Sequence, residues 1–411
     1  MTPNPAYRPW LDWLDSQQDA MLAQTLELAA INSGSLNATG VNLVRETLQR
    51  YCSVLGGDME VVPVAPFSVI TETGEQRQFA LGDALRVRKR PEAPLQVFFC
   101  GHMDTVFAAD HAFQSVRKLD DNTLNGPGVA DLKGGLAVML RAIEALERSP
   151  FAARIGWEIL FNPDEEIGSP GSAALISAAA SRCHLGLIYE PCMPDGSLAG
   201  ARKGSGNFSV TVQGRAAHAG REHQLGRNAV RALCDFVSDL DDLNGKREGV
   251  TINPGFIHGG GAVNVVPDQA MCRFNIRLEK ADDEAWCLAQ LERLGAGINA
   301  RDGLSLQLHG GFGRKPKPLS RANTALFELA RDCGEQLGMS LDWKPTGGCC
   351  DGNNLAAAGV PNIDTLGVQG GKIHSSEEYM LISSLGERAK LSTLILLQLA
   401  EGALDEHWTR L

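Results

Sequence analysis

Three apolar stretches of this chain each run into residues of the metal-ligand type. They read APLQVFFCGHMDTV, IGWEILFNPDEE and HLGLIYEP, and they begin at residues 93, 155 and 184. Strands this apolar are buried on both faces, and helical patterns lie between them, which predicts an α/β fold with a mostly parallel sheet flanked by helices. Binding sites in such sheets lie beyond the carboxyl ends of the strands. We therefore expect the residues that follow the three stretches to converge.

The middle of the chain has a different pattern. Between residues 204 and 312 the predicted order is strand, helix, strand, strand, helix, strand, which is typical of helices packed on one face of an antiparallel sheet. We predict an inserted α+β domain of four antiparallel strands and two helices at 204–312, within a larger domain built from 1–203 and 313–411. A chain of 411 residues is long enough for two such cores. The edge strand of an isolated sheet can also pair with a second subunit.

Composition excludes several classes of function. The net charge is −11 and no basic tract occurs, which argues against a nucleic-acid partner. No apolar stretch reaches membrane-spanning length, and the N-terminus lacks the features of a secretory signal, so we expect a cytoplasmic protein without a membrane partner. The ten cysteines show no CxxC spacing, which argues against a thiolate zinc site.

The first candidate catalytic and metal-binding residues lie at the ends of the three predicted strands. His102 and Asp104 form an H-x-D pair, and on an extended segment both side chains project to one side, so the aspartate can hold the imidazole. Glu165 and Glu166 follow the second stretch and Glu190 follows the third. Each of these residues alone is more often structural or solvated. Their recurrence at three strand ends favours a shared site.

Two further candidates lie elsewhere in the chain. Asp131, in GPGVADLKGG, can either bridge two metals or cap the helix predicted to begin there. His374 lies in a glycine-rich loop and is a candidate ligand, whereas Glu377 and Glu378 are interpreted as a helix start. Imidazole with several carboxylates suits zinc, or cobalt or manganese, and the surplus of carboxylates favours a two-metal centre over one closed zinc site.

The ordered motifs resemble those of a known family. GHMDTV, GPGVADLKGG, NPDEEIGSPGS, YEP, AAHAG and IHSSEEY are similar to the motif set of the M20 metallopeptidases, over about residues 95 to 385. The glutamate carboxypeptidase branch is the most similar, with acetylornithine deacetylase and succinyl-diaminopimelate desuccinylase as relatives. The resemblance implies a zinc-peptidase-like catalytic domain, and it implies that the inserted domain is a lid that also forms a homodimer.

The resemblance also implies how two zinc ions would be held in each subunit. His102 and Glu190 would bind one zinc, Glu166 and His374 would bind the second, and Asp131 would bridge both. The pairing of Glu190, rather than Glu166, with His102 follows from the position of the YEP motif in the family.

Catalytic and substrate-binding roles are implied in the same way. Asp104 would orient His102, Glu165 would be the general base, and His218 would polarise the scissile carbonyl, either in its own subunit or across the dimer. The positions implied to bind substrate are Asn264, Arg277, Gly347 and Gly348. Judged from the residues alone, Asn264 is a turn residue and Arg277 an exposed strand residue.

The implied activity is hydrolysis of an amide bond next to a free carboxylate, on a small peptide or an N-acyl amino acid. A glutamate carboxypeptidase-like peptidase is the first hypothesis, and an N-acyl-amino-acid deacylase is the alternative. A non-catalytic metal-stabilised scaffold is a third hypothesis, against which the intact Glu165 argues. The loop TGGCCDGNN departs from the family's TGGGTDA-like pattern at Cys349 and Cys350, which leaves the substrate open.

Overall fold

The structure is a computed structural model that describes residues 3–407. Its α-helices, in chain order, are α1 Arg8–Asp15, α2 Gln18–Ala29, α3 Ala38–Cys52, α4 Gly134–Arg148, α5 Ala173–Ala180, α6 Ala229–Asp241, α7 Asp283–Asn299, α8 Arg321–Gln336, α9 Asp351–Ala357 and α10 Ser384–Ala400. The longer predicted helices are present, and their ends differ from the predicted ends by a few residues.

The strands of the first half are β1 Asp58–Val62, β2 Phe67–Ile70, β3 Gln76–Phe79, β4 Ala84–Lys89, β5 Leu95–His102, β6 Arg117–Lys118, β7 Thr123–Asn125, β8 Ile155–Asn162 and β9 Leu185–Ile188. Those of the second half are β10 Leu198–Arg202, β11 Gly204–Gln213, β12 Thr251–Gly259, β13 Gln269–Leu278, β14 Ser305–Arg314, β15 Trp343–Thr346, β16 Asn362–Ile363, β17 Gly370–Gly371 and β18 Tyr379–Leu381.

The main sheet has six strands in the order β1-β4-β8-β5-β9-β16. Strands β8, β5, β9 and β16 are parallel, while β4 is antiparallel to both β1 and β8. One face packs against α1, α2, α4, α8 and α10 in the largest apolar core, and the other packs against α5 and α9. The predicted α/β fold with a mostly parallel sheet between helices is therefore confirmed.

The strands β1 and β4 were not predicted. Both lie at the antiparallel end of the main sheet, and β1 is largely exposed. Antiparallel strands near the end of a sheet can keep one face in water, so β4, the second strand from the edge, carries the partly exposed Arg86 and Arg88 in place of an apolar run. An apolar pattern therefore does not predict these two strands.

A second, separate sheet lies between residues 204 and 314. Its four antiparallel strands have the order β12-β13-β11-β14, and α6 and α7 pack on one face around a core of their own. We call it the second sheet, and we call its helix-free side the open face. The domain limits at 204–312, and the role of this unit as a lid, stay predictions.

A small sheet in the order β17-β18-β7-β6 connects distant loops. Its pairing of β18 with β7 brings the loop after residue 371 beside the loop that contains Asp131. Among residues 3–407, no helix is long and apolar enough to cross a bilayer.

Candidate metal centre

The carboxyl ends of β5, β8 and β9 deliver the first site residues to one place. His102 is the last residue of β5, level with Asn162 at the end of β8. Glu165 follows β8 and Glu190 follows β9. All three side chains are buried. The predicted convergence of the strand ends is present because the three strands are parallel neighbours.

Two groups of candidate ligands share Asp131. The first contains His102, Asp131 and Glu190, and the second contains Asp131, Glu166 and His374, with the ligand atoms of each group within 4.8 Å of one another. In the first group, His102 Nε2 lies 3.0 Å from Asp131 Oδ1 and 3.8 Å from a Glu190 carboxylate oxygen. In the second, His374 Nε2 lies 3.3 Å from Asp131 Oδ2 and 3.1 Å from Glu166 Oε2. The two oxygens of Asp131 thus face different groups.

Asp131 does not cap a helix. Helix α4 begins at Gly134, and neither Asp131 nor Leu132 has helical backbone angles. A side chain at Gly135 would place its Cβ 2.1 Å from the carbonyl oxygen of Tyr189, so this glycine allows α4 to start against the end of β9. Helix α4 therefore begins three residues later than the helical pattern predicts.

Glu378 holds the Asp131 loop, and its interpretation as part of a helix start is wrong. Its carboxylate accepts hydrogen bonds from the backbone N–H groups of Gly128, Ala130 and Asp131 at 3.0–3.1 Å. The helix that follows begins only at Ser384. Glu378 is 1% exposed, so it fixes the bridging carboxylate from behind. The pattern offered no signal for this role beyond an acid next to the candidate His374.

His374 reaches the site from a strained turn. Its φ is +63°, in the left-handed region that non-glycine residues seldom occupy. Its side chain is about half exposed, whereas those of Asp131 and Glu166 are buried. The side of the site formed by His374 therefore opens to solvent.

Asp104 does more than orient His102. His102 Nδ1 lies 3.0 Å from the backbone carbonyl oxygen of Asp104 and 3.4 Å from its carboxylate. The two carboxylate oxygens accept hydrogen bonds from the backbone N–H groups of Glu165 and Glu166, each at 3.1 Å. Ser35 Oγ donates to the same carboxylate at 2.7 Å. Asp104 therefore fixes the backbone of both glutamates as well as the imidazole.

Asp164, the first acid of the DEE run, is a supporting residue. It is fully buried, and its oxygens accept hydrogen bonds from Gly171 N and from Ser172 N and Oγ. These hydrogen bonds stabilise the loop after β8, which directs Glu165 and Glu166 toward the site. Its complete burial identifies it as a structural residue and not a solvated one.

Glu165 belongs to neither ligand group, and Arg314 is its partner. Arg314 Nη2 lies 2.7 Å from Glu165 Oε1 and donates hydrogen bonds to the Glu165 carbonyl oxygen and to Ser169 Oγ. Arg314 is the last residue of β14, and its Nη2 also lies 3.4 Å from Asp351 Oδ1. The second sheet thereby contributes a cation directly beside the candidate base. Sequence reasoning missed Arg314, which no motif in the chain marks.

The buried charges are strongly unbalanced toward carboxylate. Burial, together with the negative charge of Asp131, raises the pKa of Glu166 and that of Glu190 to about 8. Burial likewise raises the pKa of Glu165. Hydrogen bonds to Asp131 and Glu166 raise the pKa of His374 to about 11. For Asp131, hydrogen bonds from both histidines outweigh burial and lower its pKa.

A cavity of about 670 Å³ opens beside the two ligand groups. Arg277, Gly348 and Cys349 line it, and Arg277 Nη1 lies 3.0 Å from Cys349 Sγ. Cys350 is buried instead, where its sulfur accepts a hydrogen bond from Gly352 N at the start of α9. Both adjacent cysteines line the cavity, but Cys349 is partly exposed whereas Cys350 is buried, so their environments differ.

Three of the residues predicted to meet the substrate do not line this cavity. Gly347 is exposed beside it. His218 and Asn264 lie together at the far end of the second sheet, where Ala219 N donates to the Asn264 carbonyl oxygen at 2.8 Å. Both side chains are exposed, and Val263 beside them is fully exposed. Within one chain, the structure does not bring His218 or Asn264 to the candidate ligands.

Comparison with known proteins assigns the family. The model of peptidase family M20/M25/M40 matches residues 98–398, about three-quarters of the chain. The chain belongs to this family. The M20 membership confirms the predicted resemblance and the prediction of a metal-dependent amide hydrolase.

Individual relatives agree with the M20 assignment. Carboxypeptidase G2 of Pseudomonas sp. (strain RS-16) is 25% identical, over 94% of this chain and 91% of its own length. Succinyl-diaminopimelate desuccinylase of Nitrosospira multiformis is 27% identical, over 76% and 85% respectively. The M20 family metallo-carboxypeptidase Sso-CP2 of Sulfolobus solfataricus shares the fold with a TM-score of 0.73 at 16% identity, over 93% of this chain and 99% of its own.

Proposed function

We propose that this M20 hydrolase uses two divalent metal ions to cleave an amide bond next to a free carboxylate. The observation that carries the proposal is the pair of ligand groups that share Asp131, with Glu165 beside them and outside both. A glutamate carboxypeptidase-like peptidase is the function that the set favours, because Arg277 lines the adjoining cavity and a guanidinium suits a carboxylate. The deacylase hypothesis shares the same chemistry.

The residues fit divalent cations on physical grounds. Each group offers one imidazole nitrogen and carboxylate oxygens close enough to ligate one ion. Burial, together with repulsion from Asp131, raises the pKa values of Glu166 and Glu190, so the ionised carboxylates are costly without a counter-charge. Two cations would neutralise this charge. His102 and Glu190 would hold one ion, Glu166 and His374 the other, and Asp131 both; zinc is the first choice, with cobalt or manganese as alternatives.

When bound, the ions would polarise the scissile carbonyl and make a water molecule more acidic. Glu165 then takes a proton from the attacking water and passes it to the leaving amine. Burial raises the pKa of Glu165 above the usual value for a glutamate, which makes its carboxylate a stronger base. Arg314 holds the Glu165 carboxylate in place, and Asp104 holds its backbone.

We infer that His218 and Asn264 serve the cavity of a second subunit. Their exposed position, away from the ligands of their own chain, supports a role across a homodimer formed through the second sheet as a lid. The exposed Val263 and Val265 that flank Asn264 give this end an apolar surface suited to an interface. In this arrangement His218 polarises the carbonyl oxygen of the partner's substrate.

Metal binding is expected to strengthen as pH rises through about 8, where Glu166 and Glu190 lose their protons, and to release protons. The carboxylates of Glu166 and Glu190 and the imidazole of His374 must lose their protons to bind a cation, and their raised pKa values leave them protonated near pH 7 without metal. Zinc titration calorimetry at pH 7 in buffers of different protonation enthalpy measures the release. An affinity that is constant from pH 6 to about 8, with no protons released, would contradict the proposed ligand set.

A substrate panel distinguishes the candidate activities. The metal-loaded protein is offered N-acyl glutamates, dipeptides and N-acetyl amino acids, each with its carboxyl-terminal amide as the matched control. We expect hydrolysis of the free acids and a loss of about 10-fold or more with the amides, since Arg277 pairs with the carboxylate. Preference for N-acetyl amino acids would select the deacylase, and equal rates for acids and amides would overturn the carboxylate requirement.

A further inference from the structure

Three in-register rows of polar residues cross the open face of the second sheet. Because side chains alternate along a strand, residues two apart share a face, and the core residues Phe208 and Phe274 mark the opposite, helix-covered side. The backbone partners across β13, β11 and β14 define an inner row of Arg277, Ser205 and Arg314, a middle row of Asn275, Asn207 and Gly311, and an outer row of Arg273, Ser209 and His309.

The inner and outer rows face two different cavities. The inner row lines the cavity beside the metal ligands, while the outer row lines a second cavity of about 710 Å³. Asn207, in the middle row, lines both. The open face is thus one continuous polar surface that extends from the candidate metal centre into the second cavity.

The hairpin formed by β2 and β3 covers the second cavity. Phe67 and Gln76 of the hairpin line it from above. Two hydrogen bonds join the hairpin to β13 of the second sheet. Arg273 Nη2 donates to the Ile70 carbonyl oxygen at 2.9 Å, and the Gln269 side-chain amide donates to the Thr73 carbonyl oxygen. The second cavity is therefore enclosed between the hairpin and the second sheet and is not a shallow surface depression.

The outer row carries buried nitrogen atoms with unmet hydrogen-bonding capacity. Arg273 Nε and His309 Nε2 are both inaccessible to solvent and have no hydrogen-bond partner in the described part of the chain. Such atoms are rare in folded proteins because leaving them unpaired costs free energy. The two residues lie on either side of Ser209 in one row. An acceptor group placed over Ser209 in the second cavity would lie between these two nitrogen-bearing side chains.

The spacing of the basic rows selects the shape of the ligand. Arg273 and Arg277 are four residues apart on β13, so their rows are separated by about 13–14 Å at roughly 3.4 Å per residue. We propose that the second cavity binds an acidic end group of an elongated substrate whose other carboxylate lies at the inner row. This inference rests on the proposed function, because the inner row is where we place the carboxylate next to the scissile bond.

The test measures binding of matched ligands to the metal-loaded protein by calorimetry. The probes are straight-chain dicarboxylic acids of increasing length and the monoamide of each, which keeps length and shape but removes one charge. At the length that spans the two rows, we expect the diacid to bind at least about 10-fold more tightly than its monoamide. Arg273→Gln and His309→Gln are the test variants. Arg293→Gln is the matched control, because Arg293 lies on α7, on the covered side of the same sheet.

Each outcome decides the proposal. Loss of the diacid preference in either test variant, with the preference kept in Arg293→Gln, supports the acidic subsite. Equal binding of diacid and monoamide by the wild type at every length overturns it, as does a preference that survives in both test variants. Unfolding temperatures show which variants are folded, and His309→Gln carries the test if Arg273→Gln is not. Because the readout is binding, a failure here is distinct from absence of hydrolysis in the substrate panel, which would overturn the proposed function.

Discussion

Replacing Glu165 with glutamine is expected to lower kcat by about 10²–10⁴-fold while the metal content stays unchanged. Glu165 lies in the same cavity as the candidate ligands but belongs to neither group. Glutamine keeps the shape of the side chain and can still contact Arg314, so the fold and the ligands should persist. What is lost is a group that can accept a proton from water.

The control for this variant is Glu377→Gln. Glu377 is an exposed acid three residues from His374 and pairs with Lys372 rather than with any candidate ligand. Its replacement should leave both kcat and metal content at wild-type values. A Glu165→Gln enzyme with near-normal kcat would remove Glu165 as the general base. A variant that loses metal instead would place Glu165 among the ligands.

Replacing Glu166 with glutamine is expected to remove one metal ion per chain and to lower activity with it. The Glu166 carboxylate lies 3.1 Å from His374 Nε2 and completes the group that includes Asp131. A neutral amide binds a divalent cation less well, so His374 and Asp131 alone should hold that ion weakly. Metal analysis after dialysis measures the loss, with Glu377→Gln again as the control.

Assays with excess metal provide a second test of the role of Glu166 as a ligand. If the variant has only a weakened site, raising the metal concentration should recover part of the rate, since mass action refills the site. Recovery is not expected for Glu165→Gln, whose defect is in proton transfer. A Glu166→Gln protein that retains its full metal content through dialysis would contradict the ligand assignment.

The apolar strands made much of the fold predictable. Strands β5, β8 and β9 are buried on both faces, so their composition alone distinguishes them, and their parallel arrangement brings His102, Glu165 and Glu190 together. The antiparallel strands β1 and β4 were not predicted because their exposed positions carry charged residues, which interrupt an apolar pattern. Local pattern is informative where burial is complete and weak where it is partial.

The residues that hold the site in place were not predictable in this way. Glu378 bonds to backbone groups about 250 positions earlier in the chain, and Arg314 meets Glu165 across about 150 positions. Neither residue belongs to a periodic pattern, and an acid or an arginine near a loop is most often solvated. Their roles depend on how the small sheet and the second sheet pack against the main one, which only the folded chain defines.

The division of work between Glu165 and Glu166 is tested most directly by measuring metal content and kcat on the same preparations of three proteins. These are the wild type, Glu165→Gln and Glu166→Gln, all assayed on the best substrate of the panel. We predict two metal ions per chain in the wild type and in Glu165→Gln, with kcat about 10²–10⁴-fold lower in the latter, and one ion fewer in Glu166→Gln. The proposed centre would be contradicted if both variants lost metal alike, or if both kept metal and rate.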